Sequence, residues 1–88
     1  MIEWVKDLYE RVRPWMDQRT VRSTDRFALF NEYMEVLAAS VDTGLDHGLL
    51  TDDDRERAMA IIDQSTYFRK TREGYRHALL GDRQLVAA

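Results

Sequence analysis

The chemistry available to this sequence rests mainly on its arginines, which outnumber its lysines and histidines. Three of them near the C-terminal end are spaced i, i+3 and i+7, and a helix would bring these within about 60° of one another on one face. Guanidinium groups so close together repel one another unless an anion covers them. We therefore predict that Arg69, Arg72 and Arg76 bind an acidic protein surface or a phosphate backbone.

These three arginines also have an intramolecular alternative. The basic helix that carries them could dock against acidic residues of the chain's own body: Glu32, Glu35, Asp42 and Asp46. The sequence leaves both alternatives open. A second set of arginines has the same ambiguity and adds Arg19, Arg22 and Arg26 to the predicted partner-binding residues.

An all-helical enzyme is the alternative from another functional class. A dimer could enclose Arg11, Gln18 and Arg19 around a small anionic substrate, since placed cations and a polar donor can stabilise developing negative charge. The sequence has no glycine-rich phosphate loop, nucleophile elbow or H-E-x-x-H motif. His47 and His77 each lack a second ligand at helical spacing, and cysteine is absent. We therefore predict no catalytic residue, no metal, no cofactor and no enzymatic activity.

The stretch GLDHGLLTDDDRER, residues 44–57, concentrates acids around a histidine as a metal loop would. A calcium loop needs acids at its first, third and fifth positions and glycine at its sixth, and with Gly48 at the sixth none of the three is acidic. A corner between two helices fits better. Gly48 suits the left-handed position after a helix, with Leu49 as its apolar contact. Thr51 and Asp54 have near capping-box spacing for the next helix.

Charge argues against nucleic-acid binding, which stays a weaker alternative. The net charge is -3 and the isoelectric point is about 5.3. Residues 1–66 carry eight basic against fourteen acidic side chains, whereas residues 67–88 carry five against two. In a helix-turn-helix arrangement the recognition helix would begin TDDDRERAM, and its three aspartates would repel the phosphates.

Helical periodicity predicts the elements that must position these side chains. We predict an all-α fold, a small bundle of three to four helices with no strands. The first helix runs over 2–18 with a bend near 13, the second over 25–47, and the third over 52–64, the second and third forming an antiparallel hairpin. A fourth helix over 65–80 is either separate or a continuation of the third.

Two local features refine this prediction. Ser23 or Thr24 is a plausible N-cap for the second helix. Trp4, Tyr9 and Trp15 lie on the apolar arc of the first helix, which favours core packing over a ligand pocket.

The length and composition indicate one small helical domain over residues 1–81, followed by a flexible C-terminal tail over residues 82–88. We expect a soluble cytoplasmic protein, because no apolar segment resembles a signal peptide or a membrane span. A minimal core with many aromatic and methionine side chains favours apolar surface left for a partner or a second copy.

The predicted function is therefore a protein-binding module: an adaptor, regulatory subunit or inhibitor of a larger protein machine. We expect another protein as its partner, and we also expect the chain to form a homo-oligomer. The preference for arginine over lysine is typical of a GC-rich bacterial or phage genome.

Overall fold

The computed structural model of the chain describes the backbone of residues 1–87 and the side chains of residues 1–81. Over these residues the chain forms helices and no strands, which confirms the all-α class. The predicted three to four helices are too few, because five α-helices and two short 3-10 helices are present there. In chain order they are α1 (Ile2–Val12), a 3-10 helix (Arg13–Trp15), α2 (Gln18–Leu29), α3 (Tyr33–His47), α4 (Asp52–Gln64), a second 3-10 helix (Thr66–Phe68) and α5 (Arg72–Ala87).

The chain divides into two compact units, unit 1 (Met1–Leu49) and unit 2 (Leu50–Ala88). In unit 1, α1 and α2 both pack against α3. The buried side chains of α1 and α3 recur every three or four residues, as expected when one face of a helix is removed from water. They are Val5, Leu8, Tyr9, Val12, Val36, Leu37, Ser40, Val41 and Gly44.

In unit 2, α4 packs against α5, and the 3-10 helix between them contributes an aromatic anchor. Phe68 is fully buried and meets the ring of Tyr75 edge to face, with the ring centroids 5.6 Å apart. Ala58, Met59, Ile62 and Leu79 complete the buried apolar set.

The first helix ends earlier than its periodicity predicts. It stops at Val12 rather than near 18, and the chain continues as the 3-10 helix that contains Pro14. Met16 is extended, and the Asp17 carboxylate accepts a hydrogen bond from the Thr20 backbone N–H at 2.7 Å. Asp17 is therefore the N-cap of a new helix. The predicted break around residues 18–24, with an N-cap at Ser23 or Thr24, is wrong because Asp17 caps the helix about two turns earlier.

The predicted helix over 25–47 is also wrong, because it is two helices. α2 ends at Leu29, and Asn31 adopts a left-handed backbone with φ 60° before α3 begins at Tyr33. Asparagine tolerates this conformation better than most side chains. The Asn31 side-chain oxygen also accepts a hydrogen bond from the Tyr33 hydroxyl at 3.1 Å.

The corner at Gly48 is confirmed. Gly48 is left-handed with φ 64°, and the Leu49 N–H donates to the carbonyl of Gly44 at 2.9 Å. Thr51 and Asp54 form a reciprocal capping box, with both hydrogen bonds at 3.0 Å. The antiparallel hairpin predicted across this corner stays a prediction, because α3 and α4 belong to different units.

Residues 65–80 do not prolong α4. Ser65 is extended and accepts a hydrogen bond from the Tyr67 N–H, which starts the second 3-10 helix, and α5 then begins separately at Arg72. Gly81, the last residue of the predicted domain, has non-helical φ/ψ with φ 43°, although helical backbone resumes beyond it. The predicted flexible tail, 82–88, lies outside the residues whose side chains are described. In the described part of the chain, no helix has the length and apolar character needed to cross a membrane.

Candidate partner-binding site

The three C-terminal arginines do not form the predicted stripe on one helix. Arg69 is exposed and follows the second 3-10 helix, so it lies before α5 begins. Arg72 is the first residue of α5 and turns back to α4, where its Nε donates to the Ile62 carbonyl at 3.3 Å and its Nη2 to the Ser65 carbonyl at 3.1 Å. Ile62 lies in the last turn of α4 and Ser65 is the C-cap of that helix, so Arg72 acts as a side-chain cap at its C-terminal end.

Arg76 also fastens α5 to α4. Its Nη2 forms an ion pair with the carboxylate of Asp63, and its Nε lies 3.5 Å from the Glu73 carboxylate. Positive charge at Arg76 is therefore compensated within unit 2. The partner-binding role of Arg69, Arg72 and Arg76 stays a prediction, and two of the three have structural contacts.

A further arginine in unit 2 has a structural contact that the sequence did not reveal. Arg55 on α4 donates from Nη1 to the carbonyls of Ala78 and Leu79 on α5, at 3.2 and 3.0 Å. No sequence signal could have identified this contact, because its acceptors are backbone atoms 23 and 24 residues away.

The second predicted set does share one helical face. Arg19, Arg22 and Arg26 are all exposed on α2, and their spacing places them within about 60° of one another. The opposite face of α2 packs against the rest of unit 1 through the buried Thr24. Among the side chains of residues 1–81, neither Arg22 nor Arg26 takes part in an ion pair or a side-chain hydrogen bond.

Apolar side chains extend this arginine face at the C-terminal end of α2. Leu29 is 76% exposed and Phe30 is 66% exposed, and among the large apolar residues of 1–81 only Met1 is comparable. The predicted helix over 25–47 would have put both side chains on its apolar side, whereas the end of α2 at Leu29 leaves them exposed. We call the set Arg19, Arg22, Arg26, Leu29 and Phe30 the α2 face.

The acids that interrupt the arginines in sequence have structural partners. Asp25 accepts a hydrogen bond from the Tyr9 hydroxyl at 2.6 Å and forms an ion pair with Arg13 at 2.8 Å. The contact joins α1 and the first 3-10 helix to α2. The hydrogen bonds from Arg13 and then Tyr9 hold the pKa of Asp25 below its ordinary value. Burial, followed by the hydrogen bond to Asp25, raises the pKa of Tyr9 to about 12.

The first-helix aromatic residues differ in burial. Tyr9 is buried as predicted, whereas Trp4 is half-buried. Trp15 is 49% exposed, so its predicted place in the core is wrong. The reason is the end of α1 at Val12, which takes Trp15 off the apolar arc of that helix.

The residues proposed for an enzyme are not gathered in one cavity. Arg11 pairs with Asp7 on α1 at 3.3 Å, whereas Gln18 and Arg19 begin α2. Arg19 lines a cavity between α2 and α3 to which neither Arg11 nor Gln18 contributes.

The described residues contain no cluster of side chains suited to binding a metal ion. Within that part of the chain, no group of three or more histidine, cysteine, aspartate or glutamate side chains could hold an ion. His47 and His77 are both exposed.

No family model matches the chain, and searches of the curated proteins and of the solved structures find no significant match. The function must therefore be argued from the residues of this chain.

Proposed function

We propose that this chain is a small helical protein-binding module whose α2 face binds an acidic surface of a partner protein. The observation that carries the proposal is the composition of that face. Three exposed arginines on one side of α2 run directly into the exposed side chains of Leu29 and Phe30. An adaptor, a regulatory subunit and an inhibitor of a larger protein all work through such a surface.

The energetics favour a protein partner with carboxylates. Arg22 and Arg26 have no ion-pair partner among the side chains of residues 1–81, so an incoming carboxylate need not displace one there. Arginine can bind a carboxylate through two parallel hydrogen bonds, which are stronger than neutral ones. Leu29 and Phe30 supply apolar area beside these charges, and interface hot spots commonly combine arginine with an aromatic residue.

A nucleic-acid partner is less well supported. The chain is net acidic, at -3, so the long-range field opposes the approach of a polyphosphate. An acidic protein surface carries fewer negative charges than a polyphosphate does, so the net charge of this chain opposes its approach less. Apolar contacts can also add to the affinity for a protein. The α2 face, with both kinds of side chain, fits the protein partner better.

The proposal is tested with two double charge reversals of equal size. Arg22→Glu/Arg26→Glu alters the α2 face, and Arg69→Glu/Lys70→Glu alters two exposed cations of unit 2. Each immobilised variant and the wild type capture proteins from a native lysate, with and without nuclease, and captured proteins are quantified. Circular dichroism checks that each variant is folded.

We expect a nuclease-resistant protein to be lost with Arg22→Glu/Arg26→Glu and retained with Arg69→Glu/Lys70→Glu. Phe30→Ser should weaken the same capture, because it removes apolar contact area. Loss only with the unit 2 variant would move the site to the C-terminal arginines. Capture that disappears on nuclease treatment would replace the protein partner with a nucleic acid.

A further inference from the structure

A groove runs along unit 1 between α2 and α3. Two surface cavities of about 350 and 360 Å³ adjoin there, because both are lined by Thr20, Ala39 and Asp42. One continues to Trp15 and His47, and the other continues to Phe27 and Glu35. We call this continuous depression the α2–α3 groove.

Six of the residues that line the α2–α3 groove have small side chains. They come from both helices and are Thr20, Ser23, Thr24, Ala38, Ala39 and Thr43. The distance between packed helices depends on the side chains at the contact, so small residues allow another helix to approach closely. From Glu35 to Asp46 the groove follows α3 for roughly 17 Å, at 1.5 Å per residue. That length accommodates about three turns of a docked helix.

The charge of the groove indicates what kind of partner segment would bind there. Glu35, Asp42 and Asp46 line it from α3 at positions i, i+7 and i+11, which a helix places within about 40° of one another. Arg19 is the cation that α2 adds to this lining. A row of three carboxylates along one wall complements a helix with basic residues at matching intervals.

Trp15 lies at one end of the groove and is 49% exposed. The face of an indole attracts a guanidinium or ammonium group, and a partly exposed tryptophan also offers apolar contact area. An acidic row with an exposed tryptophan at its end therefore fits a partner that carries both cations and apolar side chains.

We propose that the α2–α3 groove docks a basic amphipathic helix of another protein. This surface goes beyond the α2 face, because its partner has the opposite charge and neither Arg22 nor Arg26 lines it. Arg19 lines the groove and also belongs to the α2 face, so the two surfaces adjoin at that residue.

The test uses the full chain and a designed helical peptide of about 16 residues, long enough to span the groove. The peptide carries lysine or arginine at i, i+7 and i+11 with alanine and leucine between them, and a matched peptide has glutamate at those three positions. Both are labelled, and binding is followed by fluorescence anisotropy at low and at physiological salt.

Two variants of the groove have matched controls. Glu35→Lys/Asp46→Lys reverses two charges of the lining, and Glu3→Lys/Glu10→Lys makes the same change at exposed positions of α1. In both pairs the first residue lies in the first turn of its helix. Ala39→Trp fills the groove without altering charge, and Ala60→Trp places the same side chain on the exposed face of α4.

We expect the basic peptide to bind and the glutamate peptide not to bind. Glu35→Lys/Asp46→Lys and Ala39→Trp should each weaken binding by roughly ten-fold or more, and the two controls by less than about two-fold. Arg22→Glu/Arg26→Glu should not weaken it, so a failure of the groove is distinguishable from a failure of the α2 face.

Three results would overturn the proposal. They are absence of basic-peptide binding at low salt, binding of both peptides alike, and binding that Ala39→Trp leaves unchanged. Sedimentation of the chain without peptide shows whether the protein self-associates. Self-association that Ala39→Trp abolishes would assign the groove to a second copy instead.

Discussion

Several charged side chains of this protein hold its helices together, and this limits which of them can serve a partner. Asp17 caps α2, Asp25 joins Tyr9 and Arg13, and Arg72 caps the carbonyl end of α4. Each contact pairs a charged side chain with a partner at a helix end or on a neighbouring element. Residue type therefore does not separate binding arginines from structural ones, whereas the contacts of each arginine do.

Tyr9 gives a titration prediction at the residue scale. Burial raises its pKa to about 12 from an ordinary value of 10.0, because the phenolate would lose hydration and face the Asp25 carboxylate. The protonated form is thus favoured in the folded chain. The stabilisation is complete below pH 10, and it is lost as pH rises toward the folded pKa of about 12.

Phenolate absorbance and chemical unfolding across this interval check the prediction. Subtracting the titration of Tyr9→Phe from that of the wild type should leave one tyrosine with a midpoint well above 10.0. The free energy of unfolding should fall less steeply over the same pH interval in the variant. A Tyr9 midpoint at the ordinary value would contradict the burial of its ring and its hydrogen bond to Asp25.

At the scale of elements, helix ends decide the architecture more than helix interiors do. Helical backbone is interrupted at Met16, at Asn31 and at Gly48, because the backbone conformation at each place is incompatible with a continuing helix. The left-handed turn at Asn31 is what exposes Leu29 and Phe30. The α2 face therefore depends on where α2 ends as well as on its arginines.

A pair of glycine substitutions tests the left-handed corner. Gly48 has φ 64°, whereas Gly74 lies inside α5, and an added Cβ would meet nothing within 4 Å at either position. Because neither position is sterically crowded, the main difference between Gly48 and Gly74 is their backbone conformation. Gly48→Ala should destabilise the protein by about 1 kcal/mol or more. Gly74→Ala should stabilise it by about 0.5–1 kcal/mol.

Urea unfolding of both variants beside the wild type measures these changes. Opposite signs are expected. Equal and small effects at the two positions would show that the left-handed conformation at Gly48 is not maintained in solution.

At the scale of the whole molecule, a small acidic chain retains exposed apolar side chains. Leu29 and Phe30 are both exposed at the C-terminal end of α2, while buried apolar residues fill each unit. Leaving large apolar side chains in water favours their burial against another protein surface. The partner can be a different protein or a second copy of this chain.

We predict self-association that depends on this apolar end of the α2 face. Light scattering at increasing protein concentration should give a mass above that of the 10.4 kDa chain. Leu29→Ser/Phe30→Ser should return the mass toward the monomer, because it removes apolar area without changing charge. Tyr67→Ser is the control, since Tyr67 is an exposed aromatic residue of unit 2. A monomer at every concentration would contradict the prediction.

The sequence by itself determined the features that depend on near neighbours. The spacing of Val5, Leu8 and Val12 predicts a helix with one buried face, because successive turns bring such residues together. The Gly48 corner and the Thr51–Asp54 capping box were equally predictable, since their hydrogen bonds join residues only a few positions apart. The shared face of Arg19, Arg22 and Arg26 was not predictable in this way, because the predicted break around residues 18–24 left Arg19 and Arg22 outside any helix.

Only the tertiary structure decided which arginines are engaged and which apolar residues are exposed. Arg72 and Arg55 bind backbone carbonyls of another helix, and these acceptors have no signature in the sequence. Phe30 fits a helical stripe as well as any core residue does, yet the turn at Asn31 leaves it in water. Periodicity reports which residues share a face of a helix. Whether that face is covered depends on where each helix ends and on what packs against it.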